Sequence, residues 1–284
     1  MDLKEYLKNF DILLKKSFKP FKPLNSSCKV FHYTTLDAFD KILETRSLLQ
    51  TSFKDLNDPT ELNFGFDLFQ KNIDYLRYRG CHQDFIKSHY NFIDVDRANR
   101  ELAFFNFSCS SRPNLLGQWK GYGDQGAGVC FEIDLRQIRR ANSMIGQVKY
   151  EKNWQVQYVE WLYLIFVEHL KKEYKSGKRI EEITYTRNFA LALFQAQYAA
   201  STFMKHQGWE EESEIRYVSL IQPSSSEIFT LAGRDRVKTE ISLSTISKVV
   251  WGPKADSQKI SELKGKHKSF FDSTFETKSD IPWK

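Results

Sequence analysis

Cysteine is scarce in this chain. There are four in 284 residues: Cys28, Cys81, Cys109 and Cys130. No two of them form a Cys-x-x-Cys pair, which argues against a zinc site or a disulfide framework and fits a reducing, cytoplasmic setting. Cys109 and Cys130 stand in strand-like runs and read as small buried hydrophobes. Long apolar runs are missing as well. The longest is WLYLIFV, residues 161–167, cut off by Glu168. A membrane helix needs ~18 apolar residues or more, so no membrane contact is expected. The opening stretch MDLKEYLKNFDILLKK carries acids and has neither a continuous apolar core nor a small-residue cleavage site. It reads as an amphipathic helix, not a signal peptide. There is no internal repeat and no low-complexity tract. The glycines of GYGDQGAG (121–128) match neither a P-loop nor a dinucleotide-binding spacing.

What is present suits a soluble globular protein of one or two domains: 41% hydrophobic, 15% aromatic and 27% charged residues, with a mean hydropathy of −0.52. The net charge of +6 permits a polyanionic partner without demanding one. Basic residues gather in RQIRR (136–140) and LKKEYKSGKR (170–179), where solvated helix ends are the plainer reading.

Periodicity predicts helices to about Lys19, from Thr34 or Thr35 to Thr45, over most of 66–100, and over about 155–175 and 180–206. A short helix is expected in PNLLGQWKGY and a last one in DSQKISELKGK, before a polar tail. Strands are expected at CKVFHYT, SLLQTSF, ELAFFNFSCS, GVCFEIDL, IGQVKYEKN, WEEESEIRYVSL, SEIFTLA and ISKVVWG. The order lacks regular βαβ alternation, so the class is α+β. The expected organisation is an N-terminal helix (1–24) followed by one α+β domain (25–284) with a helical insertion at about 155–206.

Four stretches can carry chemistry. In VFHYT, His32 stands at a strand end that opens into a capped helix. In NDPTE, Asn57–Glu61, strong turn chemistry precedes a glutamate. In WKGYGDQGAG, Trp119 and Tyr122 fall three apart beside a glycine-rich loop, and flat rings there can stack on a base or a nicotinamide. In WEEESEIR, a period of two puts Glu212, Glu214 and Arg216 on one face and Ile215 and Tyr217 on the other. One glutamate can pair with the arginine while the other meets a ligand. Each stretch also has a structural reading: a satisfied strand histidine, a tight turn, a packed loop, an ion pair.

In order along the chain, FHYTT, FKDLNDPTE, FSCSSRPNLLGQWKGYGDQGAGVCFEI, WEEESEIR and VVWGPK resemble domain-of-unknown-function family 2971, over about residues 29–254. A looser similarity is to the His-Tyr-Glu type of ADP-ribosyltransferase, in which small mixed or antiparallel sheets hold NAD. That likeness implies an NAD-dependent ADP-ribosyltransferase, a toxin or anti-phage effector acting on nucleic acid or protein, with an antitoxin or regulatory protein as a further partner. It implies catalytic roles for His32, Tyr122 and Glu214. It implies NAD contacts from His32, Tyr33, Thr34, Trp119, Tyr122, Glu212 and Arg216. His32 would hold the nicotinamide ribose or amide, Tyr122 (or Tyr33 or Trp119) would stack on the nicotinamide, and Glu214 would bind the ribose and stabilise the cationic transition state. Two other readings stay open: a non-catalytic binding module in a defence or toxin–antitoxin system, and a metal-dependent nuclease using Asp58, Glu61, Glu212 and Glu214.

Overall fold

A computed structural model describes residues 16–22, 28–56, 61–78, 103–175 and 193–283. The chain divides into two compact units. One comprises Met1–Lys22, Phe53–Ala103 and Val148–Gly208, and its described residues are mainly helical; the other comprises Pro23–Ser52, Phe104–Gln147 and Trp209–Lys284 and holds the sheet.

Among the described residues ten strands build the sheet: β1 (Lys29–Thr34), β2 (Ser47–Ser52), β3 (Ala103–Ser110), β4 (Val129–Asp134), β5 (Ser143–Gln147), β6 (Glu214–Ile221), β7 (Phe229–Leu231), β8 (Arg234–Glu240), β9 (Ile246–Trp251) and β10 (Phe275–Lys278). Their order is β10-β9-β4-β1-β3-β2-β8-β7, with β6 beside β3 and β5 beside β6. The sheet is open and mostly antiparallel; β10 runs parallel to β9. Mixed helices and a mostly antiparallel sheet, with a single parallel crossover from β9 through Ser257–Lys266 to β10 among the described residues, match the α+β class read from the sequence. The polar tail expected at the C-terminus is instead this tenth strand. It adds Thr277 and Lys278 opposite Val250 and Trp251.

Strand alternation sorts the side chains onto two faces. Val30, Phe107, Cys109, Phe131, Ile133, Ile215 and Tyr217 point into the larger core. Among the described residues three helices close it, Leu36–Thr45 through Phe39 and Leu43, Ser257–Lys266 through Leu263, and Lys268–Phe271 through Phe270 and Phe271. Thr35 caps Leu36–Thr45, its hydroxyl accepting from the Ala38 amide at 3.1 Å. On the opposite face Phe31, Tyr33, Trp119, Cys130 and Val250 form a smaller core, with Ile281 and Trp283 packed against it. Cys28, Cys109 and Cys130 are free and buried; Cys81 lies outside the described residues. Burial pushes the Cys28 thiol up to about 11, the Cys130 thiol to about 12, and the Cys109 thiol well above its ordinary value.

In the helical unit, Lys152–Lys175 forms one long helix and residues 193–201 are helical. The long helix buries Tyr158, Val159, Leu162, Tyr163 and Phe166 at the three-and-four spacing of a single stripe. The helix Glu61–Lys71 approaches residues 193–201 at Gly65, where an added Cβ would stand 2.5 Å from the Ser201 Cβ. No side chain larger than glycine's fits that crossing. Tyr163 donates to the Phe69 carbonyl at 2.8 Å and accepts from Gln197 at 3.0 Å. Glu61 and Lys205 form an ion pair at 2.8 Å, both almost wholly buried.

Candidate functional site

The sheet unit carries a polar row on β3. Phe105, Phe107 and Cys109 alternate with Asn106, Ser108 and Ser110, all buried except Ser108. Strand β6 lies beside β3 and brings Glu214 to this row. Ser108 Oγ donates to Glu214 Oε1 at 2.5 Å and accepts from Asn106 Nδ2 at 2.6 Å. Arg216 Nη2 donates to Glu214 Oε2 at 2.7 Å. The carboxylate is thus held from both oxygens, and it is 5% exposed. Asn106 Oδ1 is buried and meets no hydrogen-bond donor among the described residues. A water or a ligand donor there would relieve a penalty of about 1–3 kcal/mol.

Glu212 does not share the strand. It ends a 3-10 turn, Gln207–Glu212, and Ser213 then takes a positive φ of 48° before β6 begins. That left-handed residue breaks the period of two expected across 212–216. Glu214 and Arg216 stay on one face; Glu212 turns away. Its carboxylate accepts from the Tyr122 hydroxyl at 3.0 Å, and its carbonyl accepts from Ser110 Oγ at 2.8 Å.

His32 enters from the other side of Ser108. The β1–β3 ladder is described by one pair, Phe31 opposite Ser110. His32 Nδ1 lies 2.8 Å from the Ser108 carbonyl. A carbonyl only accepts, so Nδ1 carries the proton and Nε2 keeps its lone pair. The ring stacks on Phe107 at 4.3 Å between centroids and sits 5.3 Å from Phe131. Burial pulls the pKa down to about 4, against the opposing pull of the Ser108 carbonyl. An NMR titration of the imidazole is therefore expected to turn over near pH 4, not at the ordinary 6.5. The unfolded chain takes up this proton first as pH falls. His32 thus adds stability above about pH 6.5 that is lost toward pH 4. A midpoint near 6.5 would refute this environment.

The remaining candidates divide clearly. Tyr33 and Trp119 sit in the smaller core, with Trp119 fully buried and edge-on to Tyr33 at 5.1 Å. The Trp119 indole donates to Asn114 Oδ1 at 3.0 Å, and Tyr33 accepts from the Leu115 amide at 2.9 Å. Neither ring presents a face to solvent. Tyr122 does, at 40% exposure. Thr34 closes β1 opposite Val129 and is half-buried.

The glycine loop is packed rather than open. The amides of Gly126, Ala127 and Gly128 donate to Gly123, Asp124 and Gly123 carbonyls at 2.9–3.0 Å. The Gly252 amide donates to Gly128 O at 3.0 Å, and an added Cβ on Gly252 would lie 2.3 Å from the Gly126 carbonyl. Those glycines exist for the contact between the loop and the end of β9. The amides of Gly126, Ala127, Gly128 and Gly252 are used internally and are not turned toward a phosphate.

Asn106 and Ser108 were not singled out from the sequence. Their signal was the alternation in AFFNFSCS, which puts Asn106, Ser108 and Ser110 on one face. Of the carboxylates named for a nuclease, Asp58 lies outside the described residues and Glu61 is tied to Lys205. Among the described residues, no group of three or more His, Cys, Asp or Glu side chains is arranged to hold a metal ion. Nor is any described helix long and apolar enough to cross a membrane.

Residues 118–217 match the model of a family described as protein of unknown function (DUF2971). The matched segment contains Trp119, Tyr122, Glu212, Glu214 and Arg216; His32, Asn106 and Ser108 lie before it. This supports the resemblance to the domain-of-unknown-function family. The likeness to ADP-ribosyltransferases gains no support from it. No curated protein and no solved structure matches the chain.

Proposed function

We propose that the sheet unit binds NAD and breaks its nicotinamide–ribose bond, passing ADP-ribose to a nucleic-acid or protein acceptor, or to water. The observation that carries this reading is the fixed Glu214 carboxylate, held on one oxygen by the Ser108 hydroxyl and on the other by Arg216. As the bond from ribose C1′ to nitrogen breaks, its electron pair leaves with nicotinamide and positive charge develops on the ribose. A carboxylate already fixed by Arg216 and Ser108 stabilises that charge with little reorganisation. His32 lies on the opposite face of the sheet, against Phe107 and Phe131, and its part is to hold the Ser108 backbone through the carbonyl rather than to meet the ligand. Tyr122, its hydroxyl anchored on Glu212, offers an exposed ring to stack on nicotinamide. An acceptor nucleophile then attacks C1′ and loses its proton. A cytoplasmic toxin or anti-phage effector, held in check by an antitoxin or regulatory protein, is the setting this activity fits.

One observation favours a second reading. Glu214 is nearly sealed, with both oxygens engaged, as a purely structural ion pair would be. The sheet unit would then be a non-catalytic binding module.

Nicotinamide release from NAD separates the two. It is measured with and without RNA, DNA or cell lysate. Glu214→Gln is expected to lower release by about 10²–10³-fold while circular dichroism stays unchanged. Tyr122→Ala is expected to weaken NAD binding. A folded Glu214→Gln protein with full turnover sinks the NAD reading. No release under any condition leaves the binding module.

A further inference from the structure

We propose that the exposed face of β7 and β8 binds the backbone of a single-stranded nucleic acid. Strand β8 reads RDRVKTE, and alternation puts Arg234, Arg236 and Lys238 on one face. Val237 and Thr239 are buried on the other, and Asp235 is turned there too, accepting from Thr230 at 3.0 Å. The acid within the run is thus removed from the basic face, and the row of cations ends at Glu240.

The register with β7 adds a ring to this row. Phe229 lies opposite Arg236 and Leu231 opposite Arg234, so both share the basic face. Lys238 Nζ stands 5.7 Å from the Phe229 ring centroid, and Leu231 is 48% exposed. Arg140 reaches the same hairpin, donating to the Lys238 carbonyl at 2.8 Å and to Glu227 at 2.5 Å. Arg236 is oriented by Thr51, to whose hydroxyl it donates at 2.5 Å.

Alternate side chains along a strand stand about 7 Å apart, within reach of successive phosphates of a stretched single strand. A flat ring beside such a row is what unpaired bases stack on, without regard to sequence. A duplex shields its base faces and leaves Phe229 without a partner. An acidic peptide satisfies the cations but gives the ring nothing flat. The chain's net charge of +6 adds a favourable long-range field. Binding here is separate from NAD chemistry, and the test uses no NAD.

The test is fluorescence anisotropy with labelled oligouridine, oligothymidine and a duplex of equal length, across a salt series. The full chain is expected to bind both single strands more tightly than the duplex. Arg234→Gln with Lys238→Gln is expected to weaken binding and flatten the log–log salt slope by about 1.4, at about 0.7 for each phosphate no longer neutralised. Phe229→Ala is expected to weaken binding roughly tenfold while keeping the slope. Equal weakening for both single strands assigns the interaction to the shared backbone; weakening for RNA alone assigns it to the 2′-hydroxyl. Wild-type binding unaffected by these substitutions, a preference for duplex, or no binding at low salt overturns the proposal.

Discussion

Glu214→Ala is expected to lower the unfolding free energy by about 3–5 kcal/mol. The reason lies in what stays behind. Arg216 is 1% exposed and donates to the Glu214 carboxylate at 2.7 Å. Without that carboxylate its guanidinium keeps its charge in a place it cannot leave. Ser108 loses its acceptor in the same step. Urea unfolding followed by far-ultraviolet circular dichroism measures the change, and an unmoved midpoint would show that the pair is not buried as described. A control isolates the cause. Glu214→Met with Arg216→Met removes both charges, so most of the loss should return. The same experiment sets the conditions for the NAD assay, because a Glu214 variant informs on turnover only below its own unfolding transition.

Lys205→Met is expected to have an effect of similar size, about 3–5 kcal/mol, in the helical unit. Lys205 and Glu61 lie 2.8 Å apart with 5% and 6% of their side chains exposed. Removing the ammonium leaves a buried carboxylate without that counter-charge. The double variant Glu61→Leu, Lys205→Met should be far more stable than the sum of its single changes. A double-mutant cycle in urea reads that coupling directly. Additive single costs would show that the two groups do not depend on each other.

Some of this was legible in the sequence and some was not, for local reasons. The strands at 28–34, 101–110, 128–135 and 246–252 announced themselves by β-branched and aromatic runs, and four strands lie there. Alternation put Glu214 and Arg216 on one face but left open which glutamate pairs with the arginine; the structure pairs Glu214. Glu212 did not follow, because a single left-handed serine ends the alternation and no residue type demands that conformation there. Strand β8 was passed over because its charges hid its pattern. Val237, Thr239 and Ile241 alternate inward beneath them. Strand β10 pairs with β9 in parallel, a partnership that no local turn signals. The roles of Trp119 and Tyr33 were invisible for a different reason. A buried ring and a ligand-stacking ring look the same in sequence, and only packing distinguishes them.

The three buried thiols have a practical consequence. Cys28 directly precedes β1, Cys109 lies on β3 and Cys130 on β4, so adjacent strands of the sheet each have a cysteine at hand. Burial holds each thiol protonated and out of reach, so an alkylating reagent labels it only when its strand opens. With Cys81 replaced by serine, the labelling rate at each site becomes a clock for opening of that strand. Mass spectrometry of the labelled peptides would then time the sheet's breathing strand by strand.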